Sequence, residues 1–209
     1  GIMVGEYWSS DRAADIAAID QYSKTALRMD SCNLRALVSY GYRRAINHRD
    51  STSAMRMFKQ ALDLAPSAAN AWALSGLCCA FAGDAPEAVR RATRAVELSP
   101  FDREAYKFQH ALCVAHYTNG DHESAVAHGL QALEETPVWR ATLTFTAASL
   151  AALGRTDDAR EIVERFSSRW KPRRVADVVA SVAYRDIARR STLADHLREL
   201  GGRPEAVAV

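Results

Sequence analysis

The chain has 209 residues, 48% apolar and 25% charged, with a formal net charge of +2. Such a composition suits a folded protein with a sizeable core and excludes a disordered or fibrous chain. The small net charge gives no global attraction to nucleic acid or membranes, and no apolar run of about 18 residues offers a membrane span.

In chain order, residues 1–10 read as a tag or linker and stand outside the fold. Residues 11–30, "DRAADIAAIDQYSKTALRMD", read as one helix, the stub of a partial repeat. Four copies of a longer pattern follow, near 33–66, 67–100, 101–137 and 138–172. Ala54, Ala88, Ala125 and Ala159 align, as do Ala61, Ala95 and Ala132, and the copies close on Pro66, Pro100, Pro137 and Pro172. Each copy predicts a first helix (33–47, 68–82, 102–118, 138–152) and a second helix (52–64, 85–98, 121–135, 156–169). Small residues recur where helices approach most closely. Gly83, Gly120 and Gly154 suit the positive φ that closes a helix, and Asp84 and Asp121 suit the cap of the next one. Glu87, three residues after Asp84, completes a capping-box pattern. Residues 173–209 break the period and predict a C-terminal capping segment. It has an apolar helical piece, "VADVVASVAYR", then a helix opened by Ser191 or Thr192 and ended by Gly201.

A period of 34 residues with this pattern resembles the tetratricopeptide repeat, TPR. It implies an all-α right-handed solenoid of antiparallel helix pairs, with no sheet. In such arrays a concave face is lined by the first helix of each pair. Registering the copies on their glycines places Arg35, Tyr42, Asn70, Ala73, Leu77, Lys107, His110, Tyr117 and Thr144 there, a mixed lining suited to an extended peptide or helix. The first segment lacks a preceding partner helix. Ile16, Ile19 and Leu27 are therefore expected to form an open face for homo-oligomerisation through an array end. The working surface is either this end or the groove.

A wider resemblance covers roughly residues 11–205. "ALDLAPSAANAWALSGLCCAFAGDAPEAVRRATRAVELSPFDREAYKFQHALCVAHYTNGDHESAV" and the tail "YRDIARRSTLADHLRELGGRPE" resemble the C-terminal TPR region of bacterial class III adenylate/guanylate cyclases, a region also found after some winged-helix regulators. The resemblance implies a regulatory module of a bacterial cytoplasmic signalling protein. The alternative is a stand-alone chaperone or adaptor of a secretion or assembly system.

No phosphate loop or hydrolase motif occurs, so no catalytic, cofactor-binding or metal-binding residues are expected. The histidines and cysteines do not follow metal-site spacing. Cys32, Cys78, Cys79 and Cys113 form no C-x-x-C pair and point to free thiols in a reducing, cytoplasmic setting. Residues 165–203 carry ten Lys/Arg against four acids. Either they meet an acidic partner or they form a solvated capping helix. The expected partner is a protein or peptide, with no membrane, and no nucleic acid for this chain alone.

Overall fold

The computed structural model describes residues 12–135, 140–167, 173–200 and 206–207. Among them are eleven helices: α1 Arg12–Met29, α2 Leu34–His48, α3 Ser51–Leu64, α4 Ala69–Ala82, α5 Ala85–Leu98, α6 Ala105–Asn119, α7 His122–Glu135, α8 Arg140–Ala152, α9 Thr156–Ser167, α10 Val175–Ser181 and α11 Ile187–Arg198. Helices α2 to α9 form four pairs, each first helix packing on its second and also on the first helix of the next pair.

Local chemistry sets the turns within pairs. Gly83, Gly120 and Gly154 stand at φ 97°, 79° and 73°, a region that costs L-residues with a Cβ about 1–2 kcal/mol. Asp84 then accepts from Glu87 N at 3.4 Å and Asp121 from Ser124 N at 3.1 Å. The reciprocal half of the expected capping box does not form. Glu87 is taken by Arg90 and Arg91, which hold its carboxyl down at about 2, and Asp84 N donates to Cys79 O instead. In the first pair Arg49, at φ 51°, occupies the left-handed place that glycine holds in the others.

The aligned alanines are the seams. Ala54, Ala88, Ala125 and Ala159 have no exposure, and neither do Ala61 and Ala95. Opposite Ala88, a Cβ on Gly76 would come within 3.1 Å of Ala88 O and Ala92 N, so α4 and α5 meet backbone to backbone. Such close packing lets each pair bury a continuous core against its neighbours.

Three details differ from expectation. Arg173–Arg174 (β1) pairs antiparallel with Ala206–Val207 (β2), so a two-residue ladder exists where no sheet was expected. The piece "VADVVASVAYR" is helical only to Ser181. The last helix opens at Ile187, because Asp186 accepts from Ala188 N at 2.8 Å and caps it there; it is helical to Arg198, and Gly201 lies outside the described residues.

Candidate functional site

After α9 the chain turns back along the array. Residues 175–200 lie across the C-terminal ends of the first helices. Arg49 Nη2 donates to Ala180 O at 3.1 Å and to Val182 O at 3.4 Å. Arg185 N donates to Phe81 O at 3.4 Å, while its guanidinium reaches Ser51 Oγ at 3.1 Å. Arg189 donates to Thr118 O at 2.8 Å and to Gly83 O at 3.4 Å. These carbonyls close α4 and α6, where a cation is favoured by the helix dipole. Of the tail's basic residues, Arg185 and Arg189 thus pin it to the array and Arg190 donates to Tyr184 O within it, and neither expected reading of the basic surplus included this.

The tail's anchor is Tyr184, 1% exposed. Its ring meets Phe81 edge-on at 5.4 Å between centroids and Phe145 at 6.1 Å. Thr118 Oγ1 donates to Val114 O at 2.8 Å, so the Tyr184 hydroxyl donates to Thr118 Oγ1, 2.6 Å away. Burial raises the Tyr184 phenol well above its ordinary pKa. Beside it, Tyr117 OH and His196 Nδ1 share a hydrogen bond of 3.0 Å. His122 stands edge-on to both, its centroid 5.4 Å from Tyr117 and 5.8 Å from His196. Burial lowers the pKa of His122 and of His196, and for His122 the neighbouring His196 adds to the effect.

Of the nine residues expected to line an open groove, six are buried: Ala73, Leu77, Lys107, His110, Tyr117 and Thr144. Tyr42 and Asn70 are half-buried and Arg35 is exposed. His110 Nδ1 lies 3.0 Å from Thr142 Oγ1 of α8, and burial lowers its pKa to about 4. Lys107 is paired with Glu104, and Thr144 Oγ1 donates to Arg140 O at 3.0 Å. The first helices pack on one another, so one flank of each is a seam, and the tail covers Tyr117.

A second feature lies at the array's start. Ile16 and Leu27, with Ala17 and Tyr40, floor a cleft of about 730 Å³ between α1 and α2. Ile19 is half-buried but does not line it. Asp20 at its base accepts from Arg43 Nε at 2.7 Å, and its other oxygen lies 2.7 Å from His48 Nε2. Burial alone would raise the Asp20 pKa, but these two partners outweigh it and hold the carboxyl below its ordinary value. Lys24 and Arg28 stand exposed on the rim.

Thiol chemistry is disfavoured in the core: burial pushes Cys78 and Cys113 up to about 12 and Cys79 to about 11. Among the described residues no three His, Cys, Asp or Glu side chains come together as a metal site. No described helix is long and apolar enough to cross a membrane.

Comparison with known proteins fits this geometry. The tetratricopeptide-repeat family model matches residues 43–103 and 80–138. These residues are tetratricopeptide repeats. TPR structures of similar shape include PilW, described as a widely conserved type IV pilus biogenesis factor, at TM-score 0.66 and 16% identity, covering 90% of this chain and 83% of that one. PilF of Pseudomonas aeruginosa gives TM-score 0.63 at 14% identity over the same shares of the two chains. YrrB, described as a TPR protein with an unusual peptide-binding site, gives TM-score 0.53 at 14% identity, covering 87% of this chain and 91% of that one. At these identities the likeness is one of fold. No curated protein matches the sequence.

Proposed function

We propose that the chain is a non-catalytic TPR module that binds a protein or peptide segment across the ends of its first helices, a place its own C-terminal segment now fills. One observation carries this reading. The stretch between α10 and α11 inserts a single aromatic side chain, Tyr184, into a pocket of Phe81 and Phe145, while backbone and arginine hydrogen bonds hold its flanks to helix ends. That is how an extended peptide is held, with main-chain bonds giving affinity and a pocket giving specificity. A bound segment from another protein would compete with the tail and gain access when the tail lifts.

The setting we infer is the regulatory C-terminal region of a bacterial cytoplasmic signalling protein, on the resemblance of the junction "SPFD" and the tail "YRDIARR" to cyclase and winged-helix regulator C-terminal regions. A stand-alone adaptor of an assembly system is the second reading. It is favoured by the match in shape to PilW over most of both chains. The coding sequence upstream of Gly1 separates the two: a cyclase or winged-helix domain there supports the first, and its absence supports the second.

Binding is tested with a fluorescent synthetic peptide spanning residues 174–200. The intact chain should bind it weakly, and the Tyr184→Ala/Arg189→Ala variant should bind it measurably tighter. Equal binding by the two proteins, with the variant folded by circular dichroism, would overturn the reading.

A further inference from the structure

We propose that copies of this chain join end to end, with the acidic outer side of α9 from one copy seated on the basic cleft between α1 and α2 of the next. The two ends of the array differ from its middle. Each second helix within the array, α3, α5 and α7, packs between two first helices. In contrast, α1 packs chiefly on α2, and α9 chiefly on α8. Among the described residues, each end therefore offers a helix with one side unfilled.

The chemistry of the two ends is opposite. At the start, the apolar floor of Ile16, Ala17, Leu27 and Tyr40 is rimmed by Lys24 and Arg28. These cations follow one another at i and i+4, and among the described residues neither has a carboxylate partner. The single acid in the cleft, Asp20, is already shared between Arg43 and His48, so it does not cancel the rim. At the finish, α9 carries Asp157, Asp158, Glu161 and Glu164 against Arg160 and Arg165. Asp157 pairs with Arg160 at 2.7 Å and Asp158 with Arg155 at 2.7 Å. Glu161 and Glu164 are exposed and, among the described residues, have no cationic partner. They lie three apart on one side of the helix, a spacing that matches the Lys24–Arg28 step. Half-buried Ile162, between Glu161 and Glu164 in sequence, packs against the chain's own core, so the ridge meets the cleft through its charges.

Like ends repel and unlike ends attract, so charge selects a head-to-tail contact over a symmetric one. A head-to-tail contact is heterologous and leaves a free end after each addition. It rests on surfaces other than the tail-covered face, so it stands or falls apart from the peptide-binding reading.

Sedimentation velocity of the intact chain over a rising concentration series is the test. Assembly should grow past a dimer at low ionic strength and weaken as salt is added. Lys24→Glu/Arg28→Glu and Glu161→Lys/Glu164→Lys change only exposed positions, and circular dichroism checks that both variants fold. Each alone should weaken association by about tenfold or more, and mixing the two should restore it. A wild-type chain that stays monomeric at low salt overturns the proposal. So does a dimer that survives Glu161→Lys/Glu164→Lys, which would mean α1 pairs with α1, and so does a mixture of the two variants that fails to reassociate.

Discussion

Removing the Tyr184 side chain in steps measures how firmly the tail is held. Tyr184→Phe keeps the ring against Phe81 and Phe145 and removes only the hydroxyl that donates to Thr118 Oγ1. Thr118 keeps its bond to Val114 O, so no buried donor is stranded. The cost should be that of one hydrogen bond, about 0.5–1.5 kcal/mol. Tyr184→Ala also empties a site that is 1% exposed, and loss of a buried aromatic ring costs about 3–5 kcal/mol. If the tail opens as its own cooperative unit, these costs lower the free energy of that opening rather than of global unfolding. Hydrogen exchange resolved by residue reads this directly. Amides of α10 and α11 should lose about two- to tenfold in protection in Tyr184→Phe and about two to three and a half orders of magnitude in Tyr184→Ala, at 1.4 kcal/mol per decade. Amides of α4 to α7 should change little. If protection fell equally across α4 to α11, the tail would be part of the core, and the idea that it can be displaced would fail.

Three further outcomes follow from particular contacts. Arg49→Gly relieves a left-handed residue that costs about 1–2 kcal/mol but deletes the bonds to Ala180 O and Val182 O; α10 should lose exchange protection while the thermal midpoint of the array holds or rises, and a uniform loss of both would refute the assigned role. Acid should loosen the tail: His122 and His196 have pKa values lowered from 6.5 in the folded state, so that state binds fewer protons than the open one, and stability present above pH 6.5 is lost as pH falls below it. Tyr117, Asp121, Asp195 and Glu199 surround this pair, and His122→Gln/His196→Gln should flatten the pH dependence of α11 protection between neutral and mildly acid pH. Ala125→Leu, at a site with no exposure, should cost about 1–3 kcal/mol by overpacking, and a neutral result in urea denaturation would mean the third pair is out of register.

What was readable in the sequence follows from the range of the interactions. Each helix pair is closed by contacts within one repeat, so Gly83, Gly120 and Gly154 at positive φ and the alanine columns announce it locally. The helices of the four pairs accordingly fall within three residues of the expected bounds wherever they are described, whereas the two tail helices miss theirs by four or more. The face was less legible. A position along a helix gives an angle about its own axis, but which flank meets a neighbouring first helix depends on how successive pairs stack. His110 shows this: its place in the repeat suggested an open lining, yet it is buried against Thr142 of α8. The tail was least legible, because its bonds join residues far apart in the chain: Tyr184 to Thr118, His196 to Tyr117, Arg185 to Ser51. No periodicity encodes such contacts. Two local signs did exist. One was an arginine excess with too few acids to pair it, and the other was a lone tyrosine between the two tail helices. A basic stretch in a nearly neutral chain needs acceptors, and the carbonyls that close each first helix are acceptors repeated at every step of the array. The same repetition that makes the fold easy to read therefore also supplies the row of sites on which the tail is held.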